Sequence, residues 1–147
     1  MDAGTGLNPA WAVATAAIFV WLGMLVAISF MEAPLKFRAP GVTLRIGLAI
    51  GRIVFHALNG AELVLAAIVL VGLSFDLPPM RIVAAVIVAL VALAVQLLAV
   101  RPRLNRRSDA VLTGHEGPRS RAHYVYIGLE VIKAIALLAA GVLLLAM

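Results

Sequence analysis

Polar side chains divide the sequence into four long apolar runs, Ala10 to Phe30, Ile53 to Phe75, Ile82 to Val100 and Ala122 to Met147. A helix rising 1.5 Å per residue needs about 20 residues to cross a bilayer core, which each run approaches or exceeds. The first run holds only Thr15 and Ser29 as polar residues, and the third only Gln96. The second carries His56, Asn59 and Glu62, and the fourth carries His123, Tyr124, Tyr126, Glu130 and Lys133. Lipid does not tolerate exposed charge at that depth, so spans two and four are expected to turn these groups toward protein or water. The pattern predicts an all-α integral membrane four-helix bundle, a single transmembrane domain over residues 1–147 with loops at 31–52 and 101–121.

Local punctuation sets the expected joints. Glu32-Ala33-Pro34 ends the first helix, because proline disfavours helix in the residue before it. Ala39-Pro40-Gly41 makes a second break, after which Thr43 is placed to cap a helix running through Leu44 and Arg45 into span two. Asp76 to Pro79 reads as a tight external turn. Arg101 to Arg121 contains Gly114, Gly117 and Pro118 and is expected to be a mobile loop. The opening MDAGTGLNPAW has no basic stretch, and no small-residue cleavage signal follows span one, so this span is expected to stay in the mature protein.

Composition agrees with a membrane assignment and removes several chemistries. At 64% hydrophobic and 13% charged residues the chain departs from soluble domains, where about a quarter is charged. The absence of cysteine removes disulfides, thiolate metal sites, thiol nucleophiles and covalent haem attachment through Cys-x-x-Cys-His. The net charge of +5 is mostly topology. Lys36, Arg38 and Arg45 lie between spans one and two, and Arg101, Arg103, Arg106, Arg107, Arg119 and Arg121 between three and four, while Arg81 stands alone beyond span two. By the positive-inside rule both basic loops are cytoplasmic and both termini lie outside. The loop at 101–121 has no aromatic residue for base stacking, so nucleic acid is not an expected partner. The lipid bilayer and its anionic headgroups are.

Spans two and four share an internal echo. Arg52-x3-His56-x3-Gly60-x-Glu62 is matched by Arg119-x3-His123-x4-Gly128-x-Glu130, with one inserted residue. Two helix hairpins related by a pseudo-two-fold axis along the membrane normal would produce this pattern, and so would chance agreement in a sequence of few residue types. At about 100° per residue, Arg119, His123, Tyr126, Glu130 and Lys133 fall within about 80° on span four. On span two Arg45, Arg52, His56 and Asn59 fall within about 60°, with Glu62 to one side. Both stripes are expected to face the bundle interior. Glu62 should lie roughly 9 Å deeper than His56, and Glu130 roughly 10 Å deeper than His123. Glu32, Arg52, Gln96 and Arg119 are assigned to the cytoplasmic end.

Ionisable residues in mid-span cost about 3 kcal/mol each on insertion scales, so Glu62, Glu130 and Lys133 call for a reason. His56, Asn59, Glu62, His123, Tyr126, Glu130 and Lys133 are therefore candidates for binding an ion or a polar ligand. Imidazole and carboxylate suit a transition metal, which makes His56, His123, Glu62 and Glu130 candidate metal ligands. Neither helix has the Glu-x2-His spacing of di-metal bundles, and the ~10 Å offset fits successive stations better than one site. Haem held by His56 and His123 is a second possibility, with Arg52, Arg119 and Arg121 near its propionates. Structural glue is a third: Lys133 pairing with Glu62 or Glu130, histidines and Asn59 bonding across helices, and Gly47-x3-Gly51 serving close helix packing. No Gly-x-Ser-x-Gly element or phosphate-binding glycine loop is present, and His115-Glu116 reads as a solvated pair.

Trp21-Leu22-Gly23, then Pro34, Phe37 and Arg38, then His123 at the opening of the last span resemble elements of a family of small four-span membrane proteins. Its eukaryotic relatives include a human transmembrane protein associated with platinum-drug resistance. Ala122 stands where that family usually has leucine, and Glu130 with Lys133 make this last span more polar than the family's. The layout is also similar, more remotely, to a grouping of four-span proteins with copper-resistance and porphyrin-oxidising members. That likeness implies metal or tetrapyrrole handling by analogy only.

Three functions follow as expectations. The first is a multi-pass bacterial inner-membrane protein that binds or transports a cation or small polar species through a Glu/His-lined interior, as a homo-oligomer because four helices enclose little space. The others are a membrane-bound haem- or metal-dependent oxidoreductase and a non-catalytic scaffold.

Overall fold

The computed structural model describes residues 8–114 and 121–147. Among them are four long helices and no strand: α1 (Pro9–Arg38), α2 (Leu44–Ser74), α3 (Met80–Leu112) and α4 (Arg121–Leu145). All four are long and apolar enough to cross a membrane. Asn8 starts α1 by accepting the Trp11 N–H at 2.8 Å, with Pro9 in the first turn where its missing N–H costs nothing. Thr43 caps α2 as expected, its hydroxyl accepting the Ile46 N–H at 3.2 Å. Between them Gly41 takes φ +82, a left-handed conformation that only glycine adopts cheaply.

Pro34, expected to end the first helix, does not, and Pro102, in the stretch expected to be a loop, is helical too. Pro34 and Pro102 both lie inside continuous helices, each preceded by a π-helical turn, Ala27–Glu32 and Gln96–Val100. In each turn the residue before proline donates five residues back, Ala33 N–H to Ile28 O and Arg101 N–H to Gln96 O. The extra residue shifts the register and lets the helix pass a ring that has no N–H to offer. Consequently α3 runs on as helix from Arg101 to Leu112, where a mobile loop was expected, and ends at Thr113 and Gly114 (φ +99). Residues 115–120, which include His115, Glu116, Gly117, Pro118 and Arg119, lie outside the described residues. The second helix also begins earlier than its apolar run, at Leu44.

Consecutive helices are antiparallel. Asn8 donates to Asp76 at 3.2 Å and the Trp11 indole N–H to the Asp76 carbonyl at 2.6 Å, tying the start of α1 to the end of α2. At the opposite end Arg52 pairs with Asp109 at 2.5 Å, tying the start of α2 to the end of α3. Packing places α1 between α2 and α4, with α3 against α4. The core is built from Ile18, Trp21 and Leu25 of α1, Val69 and Leu73 of α2, Ile82, Val86 and Leu93 of α3, and Leu137 and Leu144 of α4. On α4 the buried Tyr126, Glu130, Lys133, Leu137, Ala140 and Leu144 follow a four-three spacing that keeps one face against its neighbours, with Ala136 and Gly141 buried beside them. Large apolar side chains such as Val64, Leu70, Val91, Ile135 and Leu138 cover the outside. With apolar groups on both sides of the helix wall, separation from water does not decide which face turns inward; packing and polar contacts do.

Small residues set the closest approaches. A Cβ added at Gly72 would meet the Ala10 carbonyl oxygen at 2.9 Å and the Ala14 Cβ at 3.1 Å, so α1 and α2 nearly touch there. Gly47 and Gly51 do serve packing, but what fills their notch is the Phe37 ring and the Lys36 ammonium. Gly72→Leu should therefore destabilise the bundle by about 1–3 kcal/mol, the usual cost of overpacking, whereas Ala67→Leu on the exposed flank should be near neutral. Denaturation in mixed micelles, comparing both variants with the parent, checks this.

Candidate functional site

Near the middle of the bundle every helix contributes to one buried polar cluster. Lys133 of α4 points across the core, and its ammonium has three N–H bonds to place. They go to Glu62 Oε2 of α2 at 2.5 Å, Glu130 Oε1 of α4 at 2.7 Å and Gln96 Oε1 of α3 at 2.6 Å. Glu62 Oε2 also accepts the Trp21 indole N–H of α1 at 2.8 Å. Glu130 is held on both oxygens, by Gln96 Nε2 at 2.6 Å and by the Ser29 hydroxyl at 2.6 Å. Gln96 Nε2 reaches the Tyr126 carbonyl as well, at 3.4 Å. Lys133, Glu62, Gln96 and Glu130 are each at most 1% exposed, so no water-sized space adjoins them.

The backbone explains the convergence. Glu130 and Lys133 are three residues apart and share a face of α4. Ser29 lies within the π turn of α1 and Gln96 opens that of α3, so both register shifts occur where a helix hands a donor to Glu130. Among the described residues two polar atoms beside this network are buried without hydrogen-bond partners, Glu62 Oε1 and the Tyr126 hydroxyl.

Tyr126 leads from the cluster toward the basic end. Its ring meets Phe55 edge-on at 5.7 Å, and the Arg101 guanidinium lies 5.2 Å from the Tyr126 centroid and 5.1 Å from that of Phe55. Lys36 sits 5.8 Å from Phe55 and 3.9 Å from Glu32. Beyond them a depression of about 340 Å³ is lined by Arg52, Ile53, His56, Asn59, Arg101 and Asn105.

The candidates from the sequence divide accordingly. Glu62, Tyr126, Glu130 and Lys133 are buried and close together, as expected. Gln96, assigned to the cytoplasmic end, belongs in the cluster. Glu32, assigned to the same end, lies half-buried beside Lys36 among the basic residues of α1. The stripe of span two does not face inward as a unit: Arg45, Arg52 and His56 are exposed, and Asn59 and Glu62 are buried. The inner face of α2 is set by Gly51, Leu58, Glu62, Ala66 and Val69, and His56 lies about 120° around the helix from Glu62. His123 is half-buried with its ring 5.7 Å from that of Tyr124. Arg119 lies outside the described residues.

The candidate metal set, His56, His123, Glu62 and Glu130, is therefore not assembled. Among the described residues no group of three or more His, Asp or Glu side chains is placed to hold a metal ion. Lys133 stands between the two glutamates, in the position a bridging cation would take. Sequence reasoning missed Trp21 and Ser29 as parts of the site. An indole N–H in mid-span, which needs a partner when buried, was the available signal for Trp21. No protein family, curated protein or solved structure matches this chain.

Removing the single ammonium leaves two carboxyl groups facing each other in the core. Lys133→Met should cost about 3–5 kcal/mol of stability, and adding Glu62→Gln to it should recover part of that loss, because an uncompensated buried charge is the source of the penalty. Denaturant titration of the single and double variants in detergent reads both effects.

Proposed function

We propose that this multi-pass membrane protein binds and relays a single small cation at the Glu62–Lys133–Glu130 cluster, and that the cation is a proton. The observation that carries this reading is Glu62 Oε1, a buried carboxyl oxygen with no hydrogen-bond partner among the described residues. With both carboxyls ionised the cluster has two negative charges against one ammonium, and one added proton balances it. The packing around Lys133 and Glu62 admits no water-sized occupant, and a proton needs no such space. Tyr126, one turn from Glu130 toward the basic end, offers a hydroxyl as the next station. This reading needs no central lumen, so it operates in one copy of the chain and does not call for the homo-oligomer.

The basic end, with Lys36, Arg38, Arg45, Arg52 and the arginines of α3, is assigned to the cytoplasmic face of a bacterial inner membrane, among anionic headgroups. In this reading the Trp-Leu-Gly element resembling that of small four-span proteins holds Glu62 through Trp21. A scaffold role is the second reading, favoured by one observation: all four helices are bonded into the same cluster. The haem or metal oxidoreductase draws less support, because His56 stands on an exposed face away from Glu62.

Flux measurements separate the two leading readings. Proteoliposomes carrying the protein and a trapped pH-sensitive dye should acidify under a valinomycin-imposed potassium potential faster than protein-free vesicles. Glu62→Gln and Glu130→Gln should each slow that acidification by at least about tenfold, as removal of a proton carrier requires, while the thermal unfolding transition persists. Acidification no faster than in empty vesicles, or unchanged in both variants, sinks the proton reading and leaves the scaffold.

A further inference from the structure

The depression at the basic end has a chemistry unlike that of the buried cluster. Arg52, His56 and Asn59 follow one another along α2 at spacings of four and three, and Arg101 and Asn105 are one turn apart on α3, so two helix faces meet over the same hollow. Among the described residues its polar side chains are two guanidiniums, one imidazole and two carboxamides, with no carboxylate. Asp109 pairs with Arg52 through Nη1. Arg101 is held differently. The rings of Phe55 and Tyr126, at 5.1 and 5.2 Å, fix its guanidinium, and Nη2 is buried with no hydrogen-bond partner among the described residues.

An N–H of a charged group left buried and unpaired is costly, and an anion supplies what it lacks. Guanidinium presents its donors in a planar fork that matches phosphate oxygens, and a stacked guanidinium is already oriented for that contact. Amide N–H groups from Asn59 and Asn105 and an imidazole N–H from His56 add further donors around the same space. Arg101 comes directly after the apolar stretch of α3, at the depth where the bilayer core gives way to headgroups.

We infer that the hollow formed by Arg52, His56, Asn59, Arg101 and Asn105 is a binding site for a phosphate-bearing anion. The phosphate comes either from a lipid headgroup, reached from the side of the bundle, or from a free phosphate in the aqueous phase. Arg101 is the anchoring residue, Asn105 and Asn59 orient the oxygens, and Arg52 with His56 forms the rim. The site does not depend on proton relay, and its test is separate from that of the buried cluster.

Full-length protein in nanodiscs of phosphatidylcholine alone is titrated with inorganic phosphate, with chloride at matched ionic strength as the control. In a second arm the nanodiscs contain phosphatidic acid and no phosphate is added. Binding is read by calorimetry in the first arm and by the shift of the unfolding temperature in both. Saturable binding of inorganic phosphate assigns a free anion; stabilisation by phosphatidic acid alone assigns a lipid. In either arm Arg101→Gln should weaken the response by about tenfold or more, in line with the loss of a charge-assisted hydrogen bond. Because Arg101 also packs on two rings, Asn105→Leu and Arg52→Gln are tested beside it, and each should weaken the response while the parent's helical content is kept. No response of the parent protein in either arm, or a response unchanged by Asn105→Leu and Arg52→Gln, overturns the assignment.

Discussion

One ammonium shared between two carboxyl groups, in the middle of a bundle surrounded by lipid, constrains everything around it. Lys133 makes three contacts at 2.5 to 2.7 Å, on three different residues of three helices. Such contacts tolerate little displacement, since hydrogen bonds weaken steeply once distance and angle depart from their preferred values. Each helix must therefore arrive at one depth and one rotation. The small residues permit that approach, as Gly72 does between α1 and α2. The π turns supply the rotation, setting Ser29 of α1 and Gln96 of α3 against Glu130.

The two ends of the molecule differ in kind. At one, Asn8 and Trp11 bond to Asp76 and close the first hairpin with neutral or singly charged groups. At the other, cations predominate and aromatic rings absorb part of their charge: Arg101 lies on Phe55 and Tyr126, and Lys36 on Phe37 and Phe55. A side chain that belongs to the apolar interior, Tyr126, thus touches a cation of the boundary layer. Buried cluster and basic end are contiguous through that one residue.

Hydropathy alone made the fold legible, since a stretch of some 20 apolar residues has few outcomes other than a transmembrane helix. The site was partly legible for a related reason: Glu62, Glu130 and Lys133 are conspicuous in such company. What sequence did not disclose was rotation. The polar stripe of α2 averages over Arg45, Arg52 and His56, which lie near the basic end where exposure costs little, and so pointed away from Glu62, the residue that is buried. Pro34 misled for a second reason. Pro34 and Pro102 carry the local signature of a helix end, and only the preceding π turn, which has no sequence signature of its own, lets the helix continue. Gln96 was placed by its position along the third span, and a long amide side chain reaches beyond the level of its own Cα.

The position of Lys133 in the chain has a consequence for how the protein is made. Glu62 enters the membrane with α2, and its cation follows 71 residues later in the last helix. During that interval the first three helices hold a carboxyl group whose only cluster donor is the Trp21 indole N–H, and a Gln96 amide facing no acceptor on α4. Biogenesis is then a wait: the early helices form a vessel open on one side, and the arrival of α4 seals it, bringing in a single step the charge that Glu62 lacks and the carboxylate that Ser29 and Gln96 need. A chain interrupted before Lys133 is on that account an unfinished object, with the Glu62 carboxylate and the Gln96 amide oxygen left without the ammonium they share.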